Sequence, residues 1–317
     1  MNETIMRQIE AIRNHTIGAE VEMNNIKRKD AAKEAAEFFG TGRYEDTAHR
    51  NGYSTWSAFD GQGREWKFQR DSSIHGPDAE KCELVTPILH YEDIETLQEL
   101  CRRLRKAGAK SDASRGCGVH IHVGANGHTP QTLRNLVNIM ASHEELLVDA
   151  LKLDRDSNRY GHYCKPVDKR FLKELNAKKP TTMAELADIW YTSQHANYGR
   201  NDHYNDSRYH MLNLHATFTK GTIEFRLFQF DEPADGRQNG IHAGQLKTFI
   251  QLALALSAKA KAIRNASCKP QQTENPKFAM RTWLLRLGFY GKEFATARDF
   301  LTRRLAGDAA FRRGRAA

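Results

Sequence analysis

Apolar and polar residues alternate in short runs along much of the chain. In Thr16–Ile26, "TIGAEVEMNNI", Ile17, Ala19, Val21 and Met23 alternate with Gly18, Glu20, Glu22 and Asn24. Period two marks a strand with one face on a core. The next run, "KRKDAAKEAAEFFG", predicts a helix ended by Gly40. "STWSAFDGQGREWKFQRD" predicts two strands joined by a turn at Asp60–Gly63, and "CELVTPI" a short strand stopped near Pro87. Between them Ser72–Glu80 reads as a polar loop.

From Tyr91 to Ala107, Leu97, Leu100, Cys101 and Leu104 recur at helical spacing before Gly108. "GVHIHVG" predicts another strand. Thr129-Pro130 supplies an N-cap and a first-turn proline for a long helix to about Leu153. A polar, aromatic-rich connection and a helix near Thr181–Gln194 follow. "RYHMLNLHATF" and "GTIEFRLFQF" predict two strands around a Lys220-Gly221 turn. The segment Gly240–Ala262 predicts a long helix with an apolar face, and two shorter helices finish the chain. Strands and helices mix without a regular βαβ repeat. The expected class is α+β with a largely antiparallel sheet.

Charged residues recur inside these strands. Residues two apart share a strand face, so Glu20 and Glu22 share one, His120 and His122 another, and Glu224 and Arg226 a third. Glu83 lies in "CELVTP", with Lys67 and Asp71 in "WKFQRD". A lone strand glutamate usually faces water, and a lone buried histidine is usually structural. Glu224 and Arg226 alone would be an ordinary surface pair. On one shared sheet, however, these residues would crowd carboxylates, imidazoles and cations onto a single face. Concentrated carboxylates repel one another and need cations. Hard divalent ions such as Mg²⁺ or Mn²⁺ suit oxygen ligands and phosphates. Arg226 and Lys67 would then serve phosphate. Such a face fits phosphoryl transfer.

Composition narrows the field. The 317 residues suit a large single domain or two smaller ones, and 39% hydrophobic with 27% charged residues fits a folded protein. No run approaches the roughly 20 apolar residues of a membrane helix, and "MNETIMRQIEAIRNH" lacks a secretory pattern. The five cysteines are odd in number and form no C-x-x-C, which predicts free thiols and a cytoplasmic setting. The net charge is +9, and from Arg286 onward eight basic residues face three acids. A solvated helical face and a frayed tail account for this excess. Nucleic-acid binding is the minor alternative. P-loop, H-E-x-x-H, G-x-S-x-G and G-x-G-x-x-G motifs are absent. Cys117 adjoins the histidine pair, but Gly116 and Gly118 beside it suggest a tight strand entry rather than a nucleophile.

"GAEVEM", "WKFQRDSSI" followed by "CELVTP", "GCGVHIHVG" and "GTIEFRLF" resemble, in order and approximate spacing, the motifs of the amidoligase family. This family belongs to the glutamine synthetase-like carboxylate–amine ligases. The likeness runs from about Ile17 to Ala260, so 1–265 is the expected catalytic domain and 266–317 a basic helical extension. The resemblance implies a glutamine synthetase-like fold with a curved sheet. It also implies ATP-dependent amide or peptide bond formation through an acyl phosphate, with Mg²⁺ or Mn²⁺. A carboxylate is a poor electrophile until phosphorylated, and metal ions and cations must screen two approaching anions.

By motif position, Glu20, Glu22, Glu83 and Glu224 resemble the family's metal ligands. Asp71 falls where a metal or amine contact is expected, and Lys67 where a phosphate contact is. His122, and His120 beside it, resemble the histidine near the transferred phosphate, and Arg226 the arginine that steadies it. Asn213 is a further candidate for nucleotide or substrate contact. Asp154–Pro166 reads equally as a substrate-side loop or a solvated connection. Partners are expected to be a small-molecule or peptide carboxylate and an amine. Loops such as "SSIHGPDAEK" would shape their choice. The rivals are a zinc or iron enzyme built on H-x-H plus a carboxylate, and a basic nucleic-acid-binding protein. Alanine at Glu20 or Arg226 is expected to remove turnover with the fold intact.

Overall fold

The computed structural model describes residues 3–194, 199–232 and 240–311. Of the basic tail, Arg312, Arg313 and Arg315 lie outside the described residues. In chain order the elements are α1 (Glu3–Arg13), β1 (Ile17–Met23), α2 (Arg28–Phe38), β2 (Tyr44–Asp46), α3 (Ala48–Asn51), β3 (Trp56–Phe59), β4 (Glu65–Gln69) and β5 (Cys82–Val85). Then come α4 (Ile94–Lys106), β6 (Val119–Gly124), α5 (Pro130–Leu151), α6 (Lys169–Lys178), α7 (Met183–Ser193), β7 (Leu212–Asn213), α8 (His215–Lys220) and β8 (Thr222–Phe228). Helices α9 (Ala243–Ala262), α10 (Pro276–Arg286) and α11 (Ala295–Thr302) complete the series. The class is α+β. No helix among the described residues is long and apolar enough to cross a membrane.

The chain divides into two compact units, each drawn from separate stretches. One comprises Thr16–Ile121 and Phe228–Phe249, the other Met1–His15, His122–Leu227 and Ile250–Ala317. Strand β6 therefore begins in the first and ends in the second.

In the first unit the strand order is β2-β3-β4-β5-β1-β6. The β2–β3, β3–β4, β4–β5 and β5–β1 pairings are antiparallel. Trp66, Phe68, Leu84, Val21 and Met23 are buried on alternate positions. Helix α2 covers this apolar face at β3 and β4. Its Ala31, Ala32, Ala35 and Ala36 are fully buried, which lets the helix lie close, and Phe39 meets Trp66 at 5.0 Å between ring centres. The intervening residues, Lys67 and Gln69 on β4, Glu83 on β5, and Glu20 and Glu22 on β1, therefore face away from α2.

In the second unit the end of β6 is followed in order by β8 and β7, and the β7–β8 pairing is antiparallel. Thr129 caps α5 as its sequence predicts, accepting from the Thr132 N–H, with Pro130 in the first turn. Side-chain amides tie the helices together. Asn135 Nδ2 donates to Ala260 O and Ile263 O at 3.2 and 2.8 Å, and Asn138 and Asn176 exchange bonds of 2.8 and 2.7 Å. His143 stacks on Trp283 of α10 at 4.0 Å. The strand expected over "RYHMLNLHATF" is realised only at Leu212–Asn213; His215–Lys220 is helical. Asn213 Oδ1 accepts from the Ala216 N–H at 3.4 Å, and Gly221 at φ +70° closes the helix. A side-chain bond to the first turn and a left-handed glycine at the end favour the helix over an alternation that fits either structure. Helices α10 and α11 appear where two short helices were expected.

A partly buried basic cluster joins the residues just after α1, the turn before α5 and α9 in this second unit. Ser257 Oγ lies 3.1 Å from His15 Nε2 and 2.9 Å from His128 Nε2, and Lys261 Nζ lies 3.2 Å from His15 Nε2. Burial, then the Lys261 charge, holds His15 down to about 4 and His128 down to about 3. Unfolded histidines take up protons near 6.5. The stability these neutral rings provide is therefore complete above pH 6.5 and is lost as pH falls toward 4. The urea midpoint is expected to drop between pH 7 and pH 5, and His15→Asn with His128→Gln should flatten that dependence.

Candidate active site

The polar face of the first unit gathers acids in register. Glu83 on β5 stands opposite Glu22 on β1, and Val85 opposite Glu20. Glu22 and Glu83 are both buried. Like charges directly opposite across strands oppose folding, and burial makes them more costly. Burial first, then the Glu20, Asp71 and Glu22 carboxylates, pushes Glu83 well above the ordinary carboxylate range. Such an arrangement calls for protons or cations.

Neighbouring groups fix the acids. The Gly118 N–H donates to Glu22 Oε2 at 2.5 Å. His120 on β6 places Nδ1 3.0 Å from Glu20 Oε2 and Nε2 3.8 Å from Glu22 Oε1. Asp71, just past β4, accepts from the Ser73 N–H and hydroxyl at 2.7 and 2.6 Å. Ligand atoms of Glu20, Glu83 and His120 lie within 4.8 Å of one another, as do those of Glu22, Asp71 and Glu83. These oxygen-rich sets fit a hard divalent ion. Lys67 lies on the same strand face, one row from Gln69, with Nζ 3.8 Å from Glu65 Oε2.

The loops that frame this face are tied down. Gly116 adopts φ +69°, and a Cβ there would lie 2.7 Å from Ser73 O. Only glycine allows that approach. The His75 N–H donates to Arg115 O at 2.9 Å, and Asn24 Nδ2 to His75 O at 3.0 Å. Arg28 donates to Ser54 O, Asp78 O and Lys81 O at 3.0, 2.9 and 2.7 Å. The "SSIHGPDAEK" stretch is thus held against the body of its unit. Cys117 is buried, and burial followed by the Glu22 and Asp112 charges drives its thiol far up. That environment disfavours a thiolate nucleophile.

The second unit holds the remaining predicted residues. Glu224 on β8 faces Asn213 on β7 in register. It accepts from Asn213 Nδ2 at 2.6 Å and from Arg226 Nη1 at 2.5 Å. His122 Nε2 lies 3.9 Å from Glu224 Oε1, and its Nδ1 lies 3.0 Å from Thr222 Oγ1. Arg226 Nε donates to Tyr163 O at 3.4 Å, and its guanidinium lies 5.7 Å from the Tyr209 ring centre. Arg159 Nη2 donates to Arg226 O at 2.7 Å. Tyr163 and Arg159 belong to a π-helical turn, Arg159–Tyr163. Part of the aromatic-rich connection therefore packs on Arg226 within this unit.

Sequence reasoning missed Gln69, whose Nε2 donates to Glu83 Oε2 at 2.7 Å. Its position between Lys67 and Asp71 was the available signal. It also missed Thr222; Arg159 and Tyr163 lie in the segment Asp154–Pro166, read equally as a substrate-side loop or a solvated connection, and their contacts with Arg226 arise from tertiary packing.

The fold is α+β, and its acidic, imidazole-bearing strand faces hold residue groups that could bind a metal ion. Residues 13–257 match the family described as "Putative amidoligase enzyme", and the chain belongs to that family. No curated protein matches it. Among solved structures it is similar to a bifunctional glutathione synthetase from Pasteurella multocida, at 10% identity and a TM-score of 0.47, over 96% of this chain and 49% of that one. The chain spans about half the length of that structure.

The buried Glu224–Arg226 pair changes one expectation. Arg226→Ala strands a buried carboxylate and is expected to cost about 3–5 kcal/mol, read by urea unfolding, so the fold is not left untouched. Glu83→Gln removes a buried like-charge neighbour. Below pH 4.5 it should change little. As pH rises to 7 the metal-free variant should become more stable than the parent, by about 1 kcal/mol or about two degrees in thermal unfolding.

Proposed function

We propose that this protein is an ATP-dependent carboxylate–amine ligase with a glutamine synthetase-like catalytic fold. The observation that carries the reading is the in-register, buried Glu22–Glu83 pair, with Glu20, Asp71 and His120 beside it. Family membership supports it. The reaction class follows from carboxylate chemistry. The γ-phosphoryl group of ATP passes to a substrate carboxylate oxygen, giving an acyl phosphate and ADP. An amine nitrogen then attacks the acyl carbon, phosphate leaves, and the amine gives up a proton.

Glu20, Glu22, Glu83, Asp71 and His120 would hold Mg²⁺ or Mn²⁺. Bound there, a divalent ion supplies charge neutralisation for nucleotide phosphates. The oxygen-rich donor sets favour such ions over zinc. Arg226 supplies fixed positive charge, and the Glu224 carboxylate and the Tyr163 carbonyl orient its guanidinium. His122 and Lys67 supply further donors to anionic oxygens, and Asn213 sets the position of Glu224. The cytoplasm, where ATP and reduced thiols coexist, suits this chemistry.

Incubation with ATP, Mg²⁺ and pooled carboxylates and amines should give amine-dependent ADP, phosphate and a new amide mass. Absence of amine-dependent turnover with every pool would count against the reading. Glu20→Gln and Arg226→Lys should each lower turnover about a hundredfold or more while the near-UV circular dichroism is retained. Full activity in both would refute the site assignment.

A further inference from the structure

Gln69 on β4, Glu83 on β5 and Glu22 on β1 form one cross-strand row. Two members are carboxylates and the third is an amide of the same length as glutamate. The Gln69 Nε2–H donates to Glu83 Oε2 at 2.7 Å. Glu83 belongs to both carboxylate-bearing sets described above, the one with Glu20 and His120 and the one with Glu22 and Asp71. Gln69 is a member of neither. Whatever fixes the Glu83 side chain therefore fixes both sets at once. A carboxylate at position 69 would extend the row to three like charges. A lysine would place a permanent cation against the ligand that a divalent ion needs. The neutral amide holds the carboxylate by a charge-assisted bond and alters neither balance.

We infer that Gln69 is a positioning residue of the metal site, holding Glu83 Oε2 so that this carboxylate presents its oxygens to a divalent ion. The inference rests on the metal reading proposed above. The role assigned to Gln69 is to hold a proposed ligand, not to supply one.

The test uses the full chain and Mn²⁺ alone, with binding followed by electron paramagnetic resonance and calorimetry in the absence of nucleotide. Gln69→Met keeps the length of the side chain and removes the donor; it should weaken Mn²⁺ about ten- to a hundredfold with near-UV circular dichroism unchanged. Gln69→His, whose ring Nε2–H reaches about as far as the amide, should restore most of the affinity. Gln69→Ala serves as the non-donor variant if the methionine variant does not fold. Parental affinity in a folded non-donor variant would overturn the inference and leave the metal reading standing. Equal loss in the methionine and histidine variants would overturn it as well, because packing and not the donor would then be responsible. Failure of the parent protein to bind Mn²⁺ would overturn the metal reading itself.

Discussion

Two carboxylates placed face to face on neighbouring strands set the terms for the rest of the first unit. Glu22 and Glu83 cannot both be buried and charged without compensation. What surrounds them reads as that compensation. The Gly118 amide takes one oxygen of Glu22, Gln69 takes one of Glu83, and His120 lies between Glu20 and Glu22. The opposite face of the same strands is apolar and buried through Val21, Met23 and Leu84, so the burial that holds the sheet together also holds the acids in place. Stability and charge collection thus come from a single alternation of residues.

The second unit solves a similar problem differently. Glu224 is also buried, but a guanidinium two residues along its own strand and an amide on the neighbouring strand satisfy it. A buried pair of this kind adds little net stability, yet breaking it is costly. It gives a rigid cation and a rigid carboxylate at known positions. The π-helical turn at Arg159–Tyr163 extends that rigidity, because it both donates to and accepts from Arg226. Rare helical turns of this type recur at functional sites.

Much of this was legible in the sequence. The period-two runs gave β1, β3, β4, β5, β6 and β8, and the polar residues inside them gave the acidic face. The caps at Gly40 and Thr129 gave helix ends. What escaped was tertiary. "HATFTK" alternates as a strand would, but the Asn213 bond to its first turn and the left-handed Gly221 at its end favour a helix. Glu224 was expected as a metal ligand and Arg226 as a phosphate contact, whereas their mutual bond emerges only when both are buried. The aromatic-rich connection shows no periodicity, so its contact with Arg226 could not be inferred. The division into two units built from separated stretches is likewise invisible to a reading made along the chain.

Transfer of an oxygen isotope tests the proposed activation of a substrate carboxylate by phosphoryl transfer from ATP. With ¹⁸O-labelled carboxylates, ATP, Mg²⁺ and an amine pool that supports turnover, each amide formed should be matched by one phosphate carrying one ¹⁸O atom. Amide formation with unlabelled phosphate, or with AMP and pyrophosphate in place of ADP and phosphate, would exclude an acyl phosphate formed from the γ-phosphoryl group of ATP.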